Sequence, residues 1–386
     1  MKIALLTDGI FPYVVGGMQR HSFYLCKYFA QLGHHVELYH MNNSKLDISK
    51  LDVFTPEERM YIRSYVVKFP GKGKSPGHYI RESYEYSRRV FAQFKENSRD
   101  ADFIIAKGFA GWELLHQKKE KGFRCAPVAV NFHGYEMFQR QPSFLSWMQA
   151  RFLLQTPVKY IVKHADYLFS YGGKITPIIE SLEVSKKRII EIPSGISPEW
   201  VNDKIVPAGN VRKFVFVGRY ERRKGVEELN KVLTEFRRNL TAGFEFHFIG
   251  PVPEKKQLRD SRIFYHGSIT DTEALRGMLR KSEVLVCPSH SEGMPNVILE
   301  AMASGCAVIG TDTGAVSELV SDTTGQLITP GNVSELNKAI RRFTDMPGAE
   351  LDKLRTQAVA HINANFLWPH IAEKTAKAIQ HLLASA

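Results

Sequence analysis

The sequence predicts an α/β protein of two doubly wound, Rossmann-like domains, each a parallel sheet wrapped by helices, facing each other across a cleft. Three observations predict this. Strand-like apolar runs alternate with helical patterns from end to end, which is how a parallel sheet with crossover helices reads. A stretch rich in Pro, Gly and Ser, from Ile192-Pro-Ser-Gly-Ile-Ser-Pro-Glu-Trp to Pro207-Ala-Gly-Asn, interrupts the alternation, which then restarts. At 386 residues the chain is also too long for one ordinary core and fits two domains.

The elements follow in order. Lys2 to Thr7 reads as a first strand: Asp8 interrupts the apolar run too early for a signal peptide. A turn and a helix with apolar Leu25, Phe29 and Leu32 come next, stopped at Gly33, and Val36 to His40 is the second strand. Asp102 to Ala106, Pro127 to Phe132, Tyr167 to Tyr171 and Arg188 to Ile192 complete the first set. After the linker, Lys213 to Gly218, Phe244 to Gly250, Ile263 to Gly267, Glu283 to Pro288 and Ala307 to Thr311 are strands. Helices are expected over Val226 to Asn239, over Asp271 to Lys281, from the loop after Pro288 through Ala303, and as a final pair. Pro369 suits the first turn of the last helix, His370 to Leu383. The expected domains are 1–192 together with a crossover segment 366–386, a linker 193–210, and 211–365.

Composition excludes several classes. No run of about 18 apolar residues is present to span a bilayer. Cys26, Cys125, Cys287 and Cys306 are scattered, without Cys-x-x-Cys or metal spacing, and read as reduced residues of a cytosolic protein. Residues 1–192 carry 28 Lys/Arg against 18 Asp/Glu, a net +10, leaving 24 against 22, or +2, for the rest. Basic and aromatic side chains alternate around Arg59 to Arg63, Tyr79 to Phe94 and Phe144 to Leu153. Such a face is either a merely solvated basic surface or one that suits an anionic substrate or an anionic membrane surface. No zinc-finger spacing, RNA-binding aromatic signature or concentrated basic arm accompanies it, so nucleic acid is not expected as a partner.

The motifs that carry chemistry sit where strands end. Gly16-Gly17 joins the first strand to a helix, as a tight turn or as a phosphate-binding helix start; it does not spell the Gly-x-Gly-x-x-Gly of nicotinamide enzymes. Val217-Gly-Arg219-Tyr-Glu-Arg-Arg-Lys224-Gly225 joins strand to helix in the second domain. It is a solvated basic loop or, through the planar fork of Arg219 and the point charge of Lys224, a diphosphate site. Glu292 and Glu300 bracket Ser-Glu-Gly-Met-Pro-Asn-Val-Ile-Leu-Glu, where a loop at a strand's carboxyl end turns into a helix; on spacing alone they are solvated helix-face charges or two carboxylates pointing at one small space. Ligands bind at that end of open α/β sheets. His133 ends the strand Val128-Ala-Val-Asn-Phe, either as a structural hydrogen-bonding group or as one that orients a substrate hydroxyl or polarises a leaving group. Asp100-Ala-Asp102 begins a strand and reads as surface charge, not a metal triplet.

Taken together, the chain resembles the family-4 retaining glycosyltransferases of the GT-B fold nearly end to end. The resemblance rests on Gly16-Gly17 with Arg20-His21, Asn131-Phe-His-Gly, Val217-Gly-Arg219 with Lys224-Gly225, and the Glu-x7-Glu segment continuing through Ala-Met-Ala-Ser-Gly-Cys-Ala-Val-Ile-Gly-Thr to Gly314 and Glu318. It implies that Glu300 accepts hydrogen bonds from the ribose of a nucleoside diphosphate sugar. Glu292 and the run Gly293, Met294, Pro295, Asn296 and Val297 would hold the transferred sugar. Arg219, Lys224 and the amides of Gly16 and Gly17 would neutralise the departing diphosphate without a metal or other cofactor. His133 would contact the donor sugar, and Gly267 to Ile269 would lie under the base. Gly134 departs from the resemblance, since many relatives carry an acidic residue there; Glu136 is the substitute, with Tyr135 beside it as an acceptor contact.

The function this implies is transfer of a hexosyl or N-acetylhexosaminyl group from a UDP- or GDP-sugar onto a glycan or lipid-linked acceptor, in cell-envelope polysaccharide or glycolipid synthesis. The expected setting is the cytoplasm or the inner face of its membrane. A nucleotide-sugar epimerase of similar architecture and a catalytically silent binding subunit are the alternatives.

Overall fold

The computed structural model describes residues 1–71, 73, 77–98, 100–239 and 243–385; Ala386, the end of the expected crossover segment, lies outside the described residues. The chain forms two compact units. One comprises 1–133, 148–194 and 368–386, the other 134–147 and 195–367. The short segment 134–147, inside the stretch read from sequence as one domain, thus groups with the second unit.

The first unit holds a seven-stranded sheet of β1 (Lys2–Leu6), β2 (His35–His40), β3 (Ile62–Val66), β4 (Phe103–Lys107), β5 (Val128–Asn131), β6 (Tyr167–Ser170) and β7 (Ile189–Glu191). Their order is β3-β2-β1-β4-β5-β6-β7, and the pairing is parallel throughout. Buried strands of a parallel sheet must be apolar on both faces. Ile3, Leu5, Leu38, Phe103 and Ile105 on one face and Ala4, Leu6 and Ile104 on the other meet that demand, all at 2% exposure or less. The helix Gly17–Gln31 lays Leu25, Cys26 and Phe29 on one face of the sheet. The terminal helix Trp368–Ala384 adds Trp368, Ile371 and Ile379 to that core.

The second unit holds six parallel strands, β8 (Arg212–Val217), β9 (Phe244–Ile249), β10 (Ile263–Tyr265), β11 (Val284–Cys287), β12 (Ala307–Thr311) and β13 (Gly325–Ile328). Their order is β10-β9-β8-β11-β12-β13. Phe214 stacks on Phe246 across neighbouring strands, with ring centroids 6.1 Å apart. Helices cover this core with Leu229, Leu233 and Phe236 from Val226–Asn239, and with Leu336, Ile340 and Phe343 from Val333–Asp345. Asn332 caps the latter helix, its side chain accepting from the Glu335 amide, worth about 1 kcal/mol against alanine.

Both strand orders reverse direction at one place: between β1 and β4 in the first sheet, and between β8 and β11 in the second. Adjacent strands at such a switch send their helices to opposite faces and leave a crevice at their carboxyl ends. The loops with Gly16-Gly17, with Arg219 to Lys224 and with Glu292 leave β1, β8 and β11, whereas His133 follows β5 and Gly267 follows β10. The structure adds elements that the sequence reading does not contain: β3 and the helix His78–Asn97, where the sequence reads as basic, aromatic chain; the helices Trp112–Glu120, Gln155–His164 and Ile175–Glu180; β13; and a third carboxyl-terminal helix, the three being Val333–Asp345, Gly348–Asn365 and Trp368–Ala384. All four cysteines are unpaired, and Cys26, Cys287 and Cys306 are buried.

Candidate functional site

The strongest constellation lies at the switch point of the second sheet. The loop after β8 carries Arg219, Arg222, Arg223 and Lys224; the loop after β11 carries Ser289 to Pro295 and leads into the helix Asn296–Ala303. Gly225 lets the two loops touch. Its φ is +69°, and a Cβ there would stand 1.9 Å from the Pro288 carbonyl oxygen, so only glycine fits. Gly314 plays the same part on the other side, where a Cβ would lie 2.2 Å from the Glu292 carbonyl oxygen. The Ala315 amide meanwhile donates to the Gly293 carbonyl at 2.7 Å.

The side chains then interlock. Lys224 Nζ donates to Glu292 Oε1 at 2.6 Å, and Arg223 Nη1 stands 3.6 Å from Glu292 Oε2 while donating to the Ser291 carbonyl at 3.0 Å. Glu292 is buried, at 6% exposure. Burial opposes its ionisation, but the charges on Lys224 and Arg223 and the bond from Lys224 outweigh that, so its carboxyl lies below the ordinary glutamate range. Behind this pair, Arg222 contacts Glu228 through both terminal nitrogens, at 2.8 and 2.6 Å, and His290 Nε2 approaches the same carboxylate at 3.2 Å. Burial again opposes ionisation of Glu228, and donation from His290 and Arg222 brings its pKa down to about 2. This trio, in which Glu228 and His290 are buried and Arg222 half-buried, pins the basic loop to the glutamate loop. Arg219 stays exposed, paired with Glu221 at 2.9 Å.

A third segment of the same unit reaches the glutamate loop. Gln139 Nε2 donates to the Glu292 carbonyl at 2.6 Å, and its Oε1 accepts from the Glu292 amide at 3.3 Å and from the Thr313 hydroxyl at 2.6 Å. The side-chain amide therefore pairs with the Glu292 backbone as a neighbouring strand would. Gly134 and Glu136 belong to this segment. A Cβ on Gly134 would stand 2.7 Å from the Glu136 carboxylate, which thus fills the space a side chain at 134 would enter. Tyr135 is wholly buried, which limits the face it can offer a ligand. Glu300 is buried at 5% exposure in the middle of the helix Asn296–Ala303, and Met294 at 5%. Gly267, at φ +65°, accepts from the Gly250 amide at 2.7 Å beside half-buried Ile269.

In the first unit, His133 follows β5 with its Nδ1 3.0 Å from the Tyr171 hydroxyl. His21, on the helix that Gly17 opens, stands edge-on to His133 with centroids 5.1 Å apart, and to Trp368 at 4.9 Å. Burial first, and the nearby Lys107 charge second, hold both histidines well below the ordinary imidazole range. At neutral pH they are uncharged, so His133 can orient a hydroxyl but brings no positive charge to a phosphate. Gly16 is extended, and its bare Cα lets the Gln19 side chain close over it, with Gln19 Nε2 donating to Asp8 Oδ1 at 2.8 Å. Burial pushes the Asp8 carboxyl up to about 6.

The residues anticipated from sequence therefore fall into two groups. Glu292, Gly293, Met294, Pro295, Asn296, Val297, Glu300, Arg219, Lys224, Gly267 and Ile269 lie in one unit, along with Tyr135 and Glu136; Gly16, Gly17 and His133 lie in the other. Sequence reasoning missed Gln139 and Arg223 as contacts of Glu292, and the Arg222–Glu228–His290 support. Arg223 sits inside the basic loop the sequence singles out. No local pattern points to Gln139, because its partners are 153 and 174 residues away.

Comparison with known proteins follows the same division. A domain model described as "Glycosyltransferase Family 4" matches residues 15–200, and one described as "Glycosyl transferases group 1" matches 211–345. A glycosyltransferase of Bacillus subtilis named for teichuronic acid biosynthesis, TuaC, is 35% identical over 132 residues, spanning 34% of this chain and 33% of that protein. Glycogen synthase of Mycobacterium tuberculosis is 27% identical over 397 residues, covering 98% of this chain and 94% of that one. Among solved structures, HepE of Anabaena in complex with UDP superposes with a TM-score of 0.68 at 15% identity, covering 99% and 100% of the two chains.

Proposed function

Since the chain is a glycosyltransferase of the GT-B fold, with a family-4 domain followed by a group-1 domain, we propose that it transfers a hexosyl or N-acetylhexosaminyl group from a nucleoside diphosphate sugar with retention of configuration. The observation that carries this reading is the contact of Lys224 Nζ with Glu292 Oε1 at 2.6 Å, flanked by Arg223, at the switch point of the second sheet. An ammonium beside a carboxylate presents one group for a phosphate and one for sugar hydroxyls within a few ångströms. In this reading Lys224 and Arg219 stabilise the diphosphate as negative charge develops on it, and Glu292 with the Gly293 to Val297 backbone holds the sugar. Glu300 accepts from the ribose, Gly267 to Ile269 back the base, and the amides of Gly16 and Gly17 add hydrogen bonds to the phosphates. Neutral His133 orients a sugar hydroxyl.

The bond from the anomeric carbon to the phosphate oxygen breaks, with its electron pair going to the phosphate. The acceptor oxygen bonds to that carbon on the same face, and its proton passes to the departing phosphate oxygen. No side chain in this scheme acts as a covalent nucleophile. The positive side chains supply the charge a metal would otherwise supply, so the reading requires none.

HepE was solved with UDP and TuaC is named for teichuronic acid biosynthesis; the reading takes UDP as the nucleotide and a polysaccharide or its lipid-linked precursor as the acceptor. A lipid-linked acceptor at an anionic leaflet also suits the helical segment Phe144–Leu154. It exposes Phe144 and Leu145 at 71% and 74%, with Trp147 and Phe152 beside them, and no acidic residue lies between Glu136 and Asp166. Among the described residues no helix is long and apolar enough to cross a membrane. The reading places the protein in the cytoplasm, resting on the inner leaflet. The test is incubation with UDP- and GDP-sugars, with and without a lipid-linked acceptor, and NMR of the product anomer. Retained configuration in an acceptor-dependent product is expected. Conversion of donor without acceptor, as an epimerase would give, overturns it.

A further inference from the structure

The switch point of the first sheet holds a group for which the proposed transfer has no role. Lys107 ends β4, directly paired in register with Asn131 at the end of β5 and next to β1, the strand that leads to Gly16-Gly17. It is only 1% exposed. A buried ammonium ordinarily has a carboxylate against it. Here Nζ instead lies 3.0 Å from His21 Nδ1. From the helix Gly17–Gln31 it faces His21 and Cys26, beyond β5 stands His133, and the terminal helix contributes Thr375 to the same cavity wall. Among the described groups acting on its charge, none is a carboxylate. Burial lowers its pKa to about 7, and the Cys26 thiol, itself pushed up by burial, only partly opposes that. The adjoining cavity, lined by His21, Lys107 and Asn131, measures about 10 Å³, room for one water and not for a sugar or phosphate. The buried Asn131 Oδ1 has no hydrogen-bond partner among the described residues.

We infer that Lys107 is a positioning residue which, by bonding His21 Nδ1, fixes the ring flip and tautomer of His21 and thereby the wall against which His133 meets the donor sugar. The two flips of an imidazole have nearly the same shape and differ in where the nitrogens fall. A donor on Nδ1 selects one flip and leaves the ring proton on Nε2. His21 is the common neighbour of His133, Tyr171 and Trp368, with its ring edge-on to His133 at 86° and to Trp368 at 86°. A change in its ring therefore reaches His133 without intermediates. The charge on Lys107 acts in the same direction, since it disfavours protonation of both histidines.

The consequence for turnover rests on the proposed contact of His133 with the donor, but the effect on the histidines does not, and the two are separable. The experiment uses the full chain with 15N-labelled histidine, comparing wild type, Lys107→Met and Lys107→Gln. In Lys107→Met the ring nitrogens of His21 should lose their single-tautomer shifts and the titration midpoint of His133 should move up. The kcat should fall by roughly tenfold or more, with the donor KM little changed. Lys107→Gln retains a donor without a charge, so it should restore the His21 tautomer and most of the rate while the His133 midpoint stays raised. Unchanged His21 and His133 signals in a folded Lys107→Met protein overturn the inference. If Lys107→Met does not fold, Lys107→Gln decides it alone: a raised His133 midpoint with the wild-type His21 tautomer supports it, and wild-type titration overturns it. Should His133→Ala turn over at the full rate, the reading of His133 fails while the NMR result still decides the Lys107 pairing.

Discussion

Replacing Lys224 by alanine removes the ammonium that lies 2.6 Å from Glu292 Oε1 and leaves that buried carboxylate with Arg223, 3.6 Å away, as its remaining nearby cation. Two effects follow, and they are read separately. For catalysis, losing one preorganised donor to the developing phosphate charge costs about 3–4 kcal/mol, a fall of roughly 10²–10³ in kcat. For stability, removing one partner of a buried pair costs about 3–5 kcal/mol. Lys224 keeps 18% of its side chain exposed and Arg223 stays in place, so the loss belongs at or below the bottom of that range. The pH dependence has a definite sign. Glu292 titrates below its unfolded value, so its stabilising contribution is present above the ordinary glutamate pKa and is lost as pH falls through the folded one. Without Lys224 the carboxyl moves up, and that loss begins at a higher pH. The assay is saturating-donor turnover together with thermal unfolding at pH 4 to 8. A folded Lys224→Ala protein within tenfold of the wild-type kcat refutes the phosphate role.

Three other perturbations follow from the same geometry. Gln139→Leu leaves the buried Glu292 carbonyl and the Thr313 hydroxyl short of a partner, at about 1–3 kcal/mol; it should appear chiefly as a higher donor KM in steady-state kinetics, and an unchanged KM contradicts the docking role. Gly225→Ala forces a left-handed residue with its Cβ 1.9 Å from the Pro288 oxygen, so the melting temperature should fall and donor binding weaken together. Lys107 has a folded pKa near 7, well below its unfolded value, so the unfolded chain binds the extra proton between about pH 7 and 10 and stability rises with pH there, by at most about 1.4 kcal/mol per unit. Denaturant titrations should show that rise flattened in Lys107→Gln.

Much of this architecture is legible in the residues. Runs such as Phe214-Val-Phe-Val and Val284-Leu-Val-Cys, followed by glycine or proline and then a helical pattern, have few other solutions than buried parallel strands. The misses have physical causes. Ile62–Val66 is short and interrupted by Arg63 and Ser64, as the sheet's edge strand can be, and Arg63 masks it as basic surface. In the helix His78–Asn97 charge density hides the narrow apolar stripe of Tyr86, Val90 and Phe94. β13 is four residues long and opens with glycine, too short for periodicity to register. At the site, Glu292, Arg219 and Lys224 stand out as charged residues on loops at the carboxyl ends of strands, where ligands bind, and Glu300 as a carboxylate inside an otherwise apolar helix. The contacts of Gln139, the support from Glu228 and His290, and the pairing of Lys107 with His21 arise from tertiary packing between segments far apart in sequence, and no local pattern encodes them.

The central claim is that the second unit holds a nucleoside diphosphate sugar between Lys224, Glu292 and Glu300. Its most direct measurement is thermal unfolding of the wild-type chain and Glu300→Gln against a panel of UDP- and GDP-sugars. At about 100-fold excess over Kd a ligand adds roughly 2.7 kcal/mol, a rise of several degrees for a domain of this size. The account predicts such a rise for one base and sugar in the wild type, and its loss or marked weakening in Glu300→Gln. No shift with any diphosphate sugar, or an equal shift in both proteins, would contradict it.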